Sequence, residues 1–434
     1  MKRLKEKLYD KIEQHRPRIK RLIEEHGDAV VSEVTVQQIL GGMRGIKSLI
    51  TDISYLDPYE GIRYRGYTLP EVFEKLPRTA GAEMPCVEGL FYLFLTGEIP
   101  TENEVADIIY DSVNRRQLPK YVYEVIDAFP NNSHPMAILS SSVMSMQRES
   151  LFNLRYKRGM NKLDYWDPTY EDALNLISKI PIIGAAIYNK LYNEEGLNYQ
   201  DPTLDLGGNF AHMMRKKKPY DDVARMYFII HADHEGGNVS AHTGHLIGSS
   251  LSDVYLSVSG MINGLAGPLH GLANQEVLRW IQDLREKFNN KVPTKKQLQD
   301  AVWATLNSGQ VVPGYGHAVL RKTDPRYEVQ RNFALKHMKD DDLFKYISLL
   351  YEVVPPILKE QGKAKNPWPN VDAHSGVIQW HYGVTEYDYY TVLFSIGRAI
   401  GVLSNIIWDR ALGYPIERPK SITTKMLEEM VGIK

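Results

Sequence analysis

Cysteine is almost absent from this chain of 434 residues, because Cys86 is the only one. A single cysteine cannot form an intramolecular disulfide, and it cannot supply the thiolate pairs of a Cys-based zinc site. A surplus of charge is also missing, since 52 Lys and Arg residues against 53 Asp and Glu residues leave a formal net charge of -1. Without a basic field over the chain, we expect no nucleic-acid partner.

The N-terminal residues lack a targeting pattern. Residues 1–21 mix Lys and Arg with Glu6, Asp10 and Glu13, and they contain no apolar core of signal-peptide length. A mitochondrial presequence would be rich in Arg and Ser and poor in acidic residues. We therefore expect a cytoplasmic bacterial protein, with the mitochondrial matrix as the alternative if the sequence is a trimmed mature form.

Long hydrophobic runs are interrupted by polar residues. Residues 254–275 form the longest stretch without charge, but they include serine, asparagine, proline, histidine and several glycines. Such a composition does not suit a helix in contact with lipid. We expect a buried helix there and no association with a membrane.

Helical patterns dominate the rest of the chain. Apolar residues recur at helical spacing in 4–23 before Gly27, and Thr101 with Glu104 forms a capping box ahead of an apolar-periodic stretch. Only residues 29–69 show short β-branched and aromatic runs, which predict a few small strands. Because single cores stop growing near roughly 250–300 residues, the length predicts two domains. The predicted fold class is mainly α.

Four histidines lie close together in the sequence at His231, His234, His242 and His245, with Glu235 among them. Their spacing differs from the H-E-x-x-H and H-x-x-E-H patterns, which place two ligands on one helix face beside a base. We therefore predict no metal site. A metal-dependent hydrolase remains open as an alternative function.

His270 follows a glycine-containing run, residues 264–269, and precedes an amphipathic stretch. At the N-terminus of a helix the dipole lowers the pKa of an imidazole, so a neutral His270 could donate a hydrogen bond to a developing oxyanion. A capping or core histidine fits the same pattern, and both interpretations stay open.

Two further segments carry titratable residues on loops. Residues 311–317 contain two glycines and end in His317, with Arg321 and Arg326 following. Glycine lets backbone approach a ligand closely, and the basic side chains offer donors to a carbonyl and a carboxylate. The pattern indicates an anion-binding loop, although a Pro-Gly turn followed by exposed basic residues fits it too. Asp372 lies on a Pro-rich loop that enters a helix, where a base and an ordinary N-cap both fit.

Together these segments, with residues 234–238, resemble the citrate synthase family, specifically its longer, eukaryotic-type branch. The likeness spans nearly the whole chain, because further segments follow the family pattern in order at 41–45, 57–67, 307–327, 362–376 and 417–420. It implies a two-domain, mainly α fold with a few short N-terminal strands. The large helical domain would comprise residues 1–272 and 379–434, and the smaller helical domain residues 273–378. It also implies a homodimer with shared active sites, in which an arm within 379–434 reaches the partner.

The resemblance implies an enzyme that condenses acetyl-CoA with oxaloacetate and water to give citrate and CoA, the first step of the tricarboxylic acid cycle. Asp372 would be the base, His270 would stabilise the enolate, and His317 would polarise the oxaloacetate carbonyl. Acetyl-CoA is a substrate, so no cofactor is implied. The oxaloacetate-binding residues would be His234, Arg326, Arg398 and, from the partner subunit, Arg418. The CoA contacts would be Arg44, Lys162, Val311, Val312, Gly314, Tyr315, Lys363, Ala364, Lys365 and Asn370, where Lys162 replaces an arginine of the family.

Two other interpretations share these residues. A 2-methylcitrate synthase acting on propionyl-CoA would use the same catalytic set and differ only in the acyl pocket. A catalytically silent scaffold of the same fold would have lost catalytic residues, yet every catalytic position of the family pattern is filled here.

Overall fold

The computed structural model describes residues 3–193, 196 and 198–433. Over these residues the chain forms twenty α-helices and one small sheet, which confirms the mainly α prediction. The helices are α1 (Leu4–His26), α2 (Val36–Leu40), α3 (Leu69–Lys75), α4 (Val87–Thr96), α5 (Glu102–Arg115), α6 (Lys120–Ala128), α7 (Pro135–Ser145), α8 (Leu151–Lys157), α9 (Trp166–Tyr192), α10 (Leu206–Met213), α11 (Tyr220–Ile230), α12 (Val239–Ser249), α13 (Val254–Leu265), α14 (Ala273–Lys287), α15 (Lys295–Asn307), α16 (Pro325–His337), α17 (Asp342–Gln361), α18 (Asp372–His381), α19 (Tyr390–Leu412) and α20 (Thr424–Met430).

The local signals near the N-terminus are confirmed. α1 ends before Gly27, and the side chain of Thr101 caps α5 by accepting a hydrogen bond from the N–H of Glu104. The predicted strands form an antiparallel sheet in the order β1 (Ser54–Asp57), β2 (Gly61–Tyr64), β3 (Tyr67–Thr68).

The longest apolar helices, α9 and α19, pack together in the core. The stretch Tyr387–Leu412 is, in the described part of the chain, the one helical stretch that could span a membrane by length and composition. Inside this protein, however, 94% of its most apolar window is buried. It therefore serves as the core helix that carries Arg398 into the interior.

The predicted buried helix over residues 254–275 is only partly confirmed. α13 is buried but ends at Leu265, and turns connect it to the start of α14 at Ala273. Pro268 explains the break, because a proline disfavours helical backbone at the preceding residue. The interruption leaves His270 in a turn between two helices.

Helices α14 to α18 pack mainly on one another, through the pairs α14 with α18, α15 with α17 and α16 with α18. The strongest helix pairs that link this group to the rest of the chain are α16 with α3 and α18 with α11. The first residue of α14 coincides with the predicted domain boundary at 273. The boundary at 378 falls inside α18, which continues to His381.

The β1–β2 turn supports the start of α16. Gly61 has φ +82, and a Cβ added there would lie 2.4 Å from Cδ of Pro325, so glycine is required on both counts. Nearby, the N–H of Arg321 donates to the carbonyl oxygen of Pro58 at 2.7 Å. The sheet thus positions the segment that carries Arg326.

Candidate active site

Two loops that are distant in sequence form a single unit. The N–H of Gly316 donates to the carbonyl oxygen of Trp368 at 3.0 Å, and the N–H of Asn370 donates to that of Gly314 at 2.9 Å. The side-chain amide of Asn370 also donates to the carbonyl oxygen of Gly316 at 3.1 Å. These bonds fix the anion-binding loop against the residues that lead directly into α18.

Gly314 is essential to that contact. Its φ is +78, and a Cβ there would lie 2.9 Å from Cα of Ala373 and 3.0 Å from the side chain of Val277. Only glycine adopts this conformation while allowing the loop to touch the start of α18.

Asp372 is the first residue of α18, but it does not cap the helix. Its N–H donates to Oδ1 of Asn370 at 3.0 Å, so Asn370 fills the capping role and the carboxylate of Asp372 stays available. Burial raises the pKa of Asp372 to about 6, with Arg326 lowering it and Asp324 raising it. A carboxyl group with a pKa near neutrality suits a general base.

His270 is held in one tautomer by the start of α12. The N–H of Ser240, in the first turn of that helix, donates to Nε2 of His270 at 3.2 Å, and the hydroxyl oxygen of Ser240 lies 2.9 Å from the same nitrogen. With Nε2 accepting, a neutral ring carries its proton on Nδ1 and can donate it to a ligand.

The predicted neutral state of His270 agrees with its environment, although the physical cause differs. Burial, followed by the charge of Arg398, lowers the pKa of His270 to about 4. α14 begins three residues later, at Ala273, so His270 does not stand within the first turn whose dipole was expected to act.

Arg398 is a buried guanidinium without a carboxylate partner among the described residues. It donates from Nη1 to Oδ1 of Asn238 at 2.9 Å and to the hydroxyl of Ser240 at 3.1 Å, and from Nε to the carbonyl oxygen of His231 at 3.1 Å. All three acceptors are neutral, and burial lowers the pKa of Arg398 to about 10. A buried cation surrounded by neutral acceptors favours an anionic ligand.

His317 and His234 lie together between Arg326 and Arg398. Their ring centroids are 5.9 Å apart. Nδ1 of His317 accepts the N–H groups of Val319 and Leu320 at 3.0 and 3.1 Å, which leaves Nε2 of a neutral ring as the donor. Burial and the charge of Arg326 lower the pKa of His317.

The same two guanidinium charges act on His234. Burial, followed by the charges of Arg326 and Arg398, lowers the pKa of His234. Nε2 of His234 has no hydrogen-bond partner among the described residues, so a ligand oxygen or water would satisfy it. Arg326 itself is held by a bidentate contact with Asp324 at 3.0 and 2.7 Å.

A row of aromatic rings runs from Tyr227 to the imidazole of His270. The ring centroids of Tyr227 and His231 are 4.2 Å apart, those of His231 and Phe394 4.6 Å, and those of Phe394 and His270 6.3 Å. Burial raises the pKa of Tyr227, and the charge of the neighbouring Asp372 raises it further. His270 therefore lies at one end of this aromatic wall, and the charge of Asp372 acts on Tyr227 at its other end.

Residues 42–420 match the family model described as citrate synthase, C-terminal domain. The chain is 52% identical over 426 residues to citrate synthase 4, mitochondrial, of Arabidopsis thaliana, covering 98% of this chain and 90% of that protein. It is 51% identical over 433 residues to the mitochondrial citrate synthase of Xiphias gladius, covering 99% and 92%. The chain belongs to the citrate synthase family.

The solved structure of citrate synthase from Pyrobaculum aerophilum gives the same result for the fold. It superposes with a TM-score of 0.75 at 27% identity, covering 88% of this chain and 92% of that one. The protein is an enzyme of the tricarboxylic acid cycle, a transferase that condenses acetyl-CoA with oxaloacetate. The expected bacterial cytoplasmic location is wrong, because the curated citrate synthases that the chain matches are mitochondrial proteins.

Part of the predicted citrate synthase CoA site is assembled in one chain. The loop at 311–316 and Asn370 are bonded together as described above, with Val312 buried and Val311 exposed. Lys363 and Lys365 are exposed on the segment between α17 and α18, with Ala364 half-buried between them.

Three predicted basic residues lie outside this assembly. Arg44 is exposed in the turns after α2, and Arg418 is exposed beyond α19. Cε of Lys162 lies 3.4 Å from a Cβ placed on Gly413, the residue after α19. Fifteen helical residues separate this point from Arg398, or about 22 Å along the axis. Among the described residues, no hydrogen bond or ion pair joins these three side chains to the loop at 311–316.

The four clustered histidines diverge in the structure. Nδ1 of His231 lies 2.8 Å from the carbonyl oxygen of Tyr227, His245 pairs with Asp409 at 2.8 Å, and His242 pairs with Glu417 at 3.0 Å. Only His234 faces His317. Within the described ranges, no group of three or more His, Cys, Asp or Glu side chains is arranged to hold a metal ion.

Several site residues escaped the sequence analysis. Tyr227, Ser240 and Phe394 belong to no motif by residue type, and their roles arise from what packs beside them. Asp324 stands in the family-like segment 307–327, but its contact with Arg326 was not predicted from the sequence. Asn238 stands in the family-like segment 234–238, but its hydrogen bond to Arg398 depends on the position of α19.

Proposed function

We propose that Asp372, His270 and His317 perform the condensation in an active site completed by a second copy of the chain. One observation carries the proposal. An imidazole fixed as a neutral Nδ1–H donor ends an aromatic row, and the charge of a carboxylate with a raised pKa acts on Tyr227 at the other end of that row.

The base and the donor have to act together. The methyl group of a thioester is a very weak acid, so a carboxylate removes its proton only if the enolate oxygen is stabilised as charge forms. A positioned base contributes about 10²–10⁴-fold, and one oxyanion donor about 3–4 kcal/mol. In our mechanism Asp372 takes the proton while Nδ1–H of His270 donates to the thioester oxygen.

The enolate carbon then attacks the keto carbon of oxaloacetate. Nε2–H of His317 donates to the keto oxygen as it gains negative charge, which polarises the carbonyl for attack. Water subsequently cleaves the thioester of the condensed product and releases citrate and CoA.

The oxaloacetate carboxylates would lie between Arg326 and Arg398, with His234 as a further donor. Arg398 is the stronger attractor of the two, because Asp324 already offsets the charge of Arg326. The segment 311–315 with Lys363, Ala364, Lys365 and Asn370 would bind CoA. Arg44 and Lys162 remain proposed CoA contacts.

A partner subunit would supply Arg418. Beyond Glu417 the described chain runs exposed into α20, which has no buried residue. Apolar side chains on this arm are left in solvent, which indicates that another surface covers them. They are Met426, Met430, Val431 and Ile433. A two-fold homodimer with shared active sites accounts for such an arm.

We further propose that residues 273–378 form a small domain that closes on the large domain (1–272 and 379–434) and excludes water from acetyl-CoA. The packing of α14 to α18 on one another supports this division.

The names of the curated relatives support a mitochondrial location. No cofactor is proposed besides the two substrates.

Thiol release from acetyl-CoA tests this function. We expect rapid CoA release only when oxaloacetate is present, because closure around oxaloacetate would have to precede reaction. Propionyl-CoA serves as the comparison substrate and should turn over more slowly. Equal release without oxaloacetate would refute the ordered mechanism, and faster turnover of propionyl-CoA would favour 2-methylcitrate synthesis.

The pH dependence follows from the pKa of Asp372. Its carboxyl group must be ionised to accept a proton, and burial raises its pKa to about 6. The value of kcat/KM should therefore increase as pH rises through about 6 and then level off. Since the pKa of His270 is about 4, that residue stays neutral throughout. A profile that is flat between pH 5 and pH 7 would remove Asp372 from the role of base.

A further inference from the structure

In the described part of the chain, side-chain hydrogen bonds tie the arm to its own subunit immediately before Arg418. Oε2 of Glu417 lies 3.0 Å from Nε2 of His242, and the N–H of Glu417 donates to the hydroxyl of Ser249 at 3.0 Å. We call His242, Ser249 and Glu417 the arm anchor. Residues 418–421 beyond it are exposed.

Both fixed partners of the arm anchor stand on α12, the helix that also builds the substrate site. Its N-cap is Asn238, which binds Arg398, and its second residue is Ser240, which holds His270. The rise of about 1.5 Å per residue separates Ser240 from Ser249 by roughly 14 Å. One rigid helix, α12, therefore connects His270 with the start of the arm in the same subunit.

The start of the arm and the segment 234–238, which carries His234, line the same cavity. Glu417 and Ile416 line a cavity of about 250 Å³ together with Gly236 and His245. Gly236 belongs to the segment 234–238, which carries His234. The arm anchor and the segment that the proposed function assigns to oxaloacetate therefore border the same cavity.

Fixing Glu417 strongly limits where Arg418 can go. Consecutive Cα atoms are about 3.8 Å apart, so anchoring one residue restricts the next to a small volume. Pro419 follows and disfavours helical backbone at Arg418, which keeps that residue extended. An anchored residue on one side and a proline on the other together direct the Arg418 side chain.

We infer that Glu417 and His242 are positioning residues that direct Arg418 into the active site of the partner subunit. This inference rests on the proposed function, in which Arg418 binds an oxaloacetate carboxylate across the dimer. Without the His242–Glu417 contact the arm gains conformational freedom, and binding oxaloacetate must then restrict it. The loss should appear as weaker binding of oxaloacetate and leave the chemical step unchanged.

The test compares Glu417→Ala, Glu417→Gln and His242→Ala in the full chain. Losing one hydrogen bond should raise the KM for oxaloacetate roughly five- to tenfold. The KM for acetyl-CoA and kcat should stay within about twofold, since the arm anchor touches neither the CoA loop nor Asp372. Glu417→Gln should recover much of the loss, because an amide can still bond to the imidazole. Glu74→Ala, which removes an exposed carboxylate on α3 away from the arm, is the control and should change nothing.

The Arg418→Ala background separates positioning from simple structural support. There Glu417→Ala should have no further effect on the KM for oxaloacetate, because the side chain that it positions is gone. An equal rise in both backgrounds, or no rise in either, would overturn the inference. If Arg418→Ala alone left oxaloacetate binding unchanged, the proposed role of Arg418 would fail first and the inference with it. His242→Ala leaves the arm sequence intact and keeps the test valid if Glu417→Ala does not fold.

Discussion

Asp372→Asn should reduce kcat by about 10²–10⁴-fold, the contribution of a positioned base. Asparagine keeps the size of the side chain and cannot accept a proton from carbon. Binding of oxaloacetate should be retained, since Arg398 and His234 remain in place and a negative charge near Arg326 has been removed. Steady-state thiol release measures the first effect, and calorimetry with oxaloacetate measures the second.

The control for this variant is Asp341→Asn. Asp341 caps α17 through a hydrogen bond from the N–H of Phe344 and also contacts Nδ1 of His381 at 2.8 Å, and asparagine can keep both the cap and a hydrogen bond to the imidazole. Its turnover should match that of the unmodified enzyme. Near-normal turnover of Asp372→Asn would show that another group takes the methyl proton.

His270→Ala should lower kcat by about 10²–10³-fold, the cost of removing one oxyanion donor. The KM for oxaloacetate should change little, because the donor acts on acetyl-CoA. His270→Asn should lose less activity than the alanine variant, since its amide N–H lies near the position of Nδ1. The measurement is kcat for all three enzymes at saturating substrates.

His26→Ala is the matched control, because His26 is exposed at the end of α1. It should leave kcat unchanged. If His270→Ala retained most of the turnover, the enolate oxygen would have to be stabilised elsewhere, and the donor tautomer fixed by Ser240 would have no catalytic meaning.

The residues of the site could be found in the sequence, whereas their arrangement could not. Asp372 and His317 stand in recognisable loops, but the bonds from Asn370 to Gly314 and Gly316 join segments more than fifty positions apart. Such contacts depend on packing between helices and leave no periodic signal. The capping box at Thr101 was predictable because its partners are three residues apart.

The electrostatics of the site were the least predictable part. The sequence favoured a helix dipole as the reason for a neutral His270, whereas burial and Arg398 lower its pKa. The sequence also left open an N-cap role for Asp372, which Asn370 fills instead. Both outcomes depend on how deeply a side chain is buried and on which charges lie beside it.

The aromatic wall shows why several site residues carry no sequence signal. Tyr227 and Phe394 look like ordinary apolar positions of α11 and α19, and each faces inward as its helix pattern requires. Their packing around His231 nevertheless links the ring of Tyr227 to that of His270. Substituting Phe394 would change the site without touching a titratable group.

The pairing of Asp372 with His270 is tested most directly by a crystal structure with oxaloacetate and an unreactive acetyl-CoA analogue bound. We predict Nδ1 of His270 at hydrogen-bond distance, about 3 Å, from the oxygen that replaces the thioester carbonyl. The carboxylate of Asp372 should face the carbon that replaces the methyl group. An analogue bound with either side chain directed away from it would contradict the mechanism.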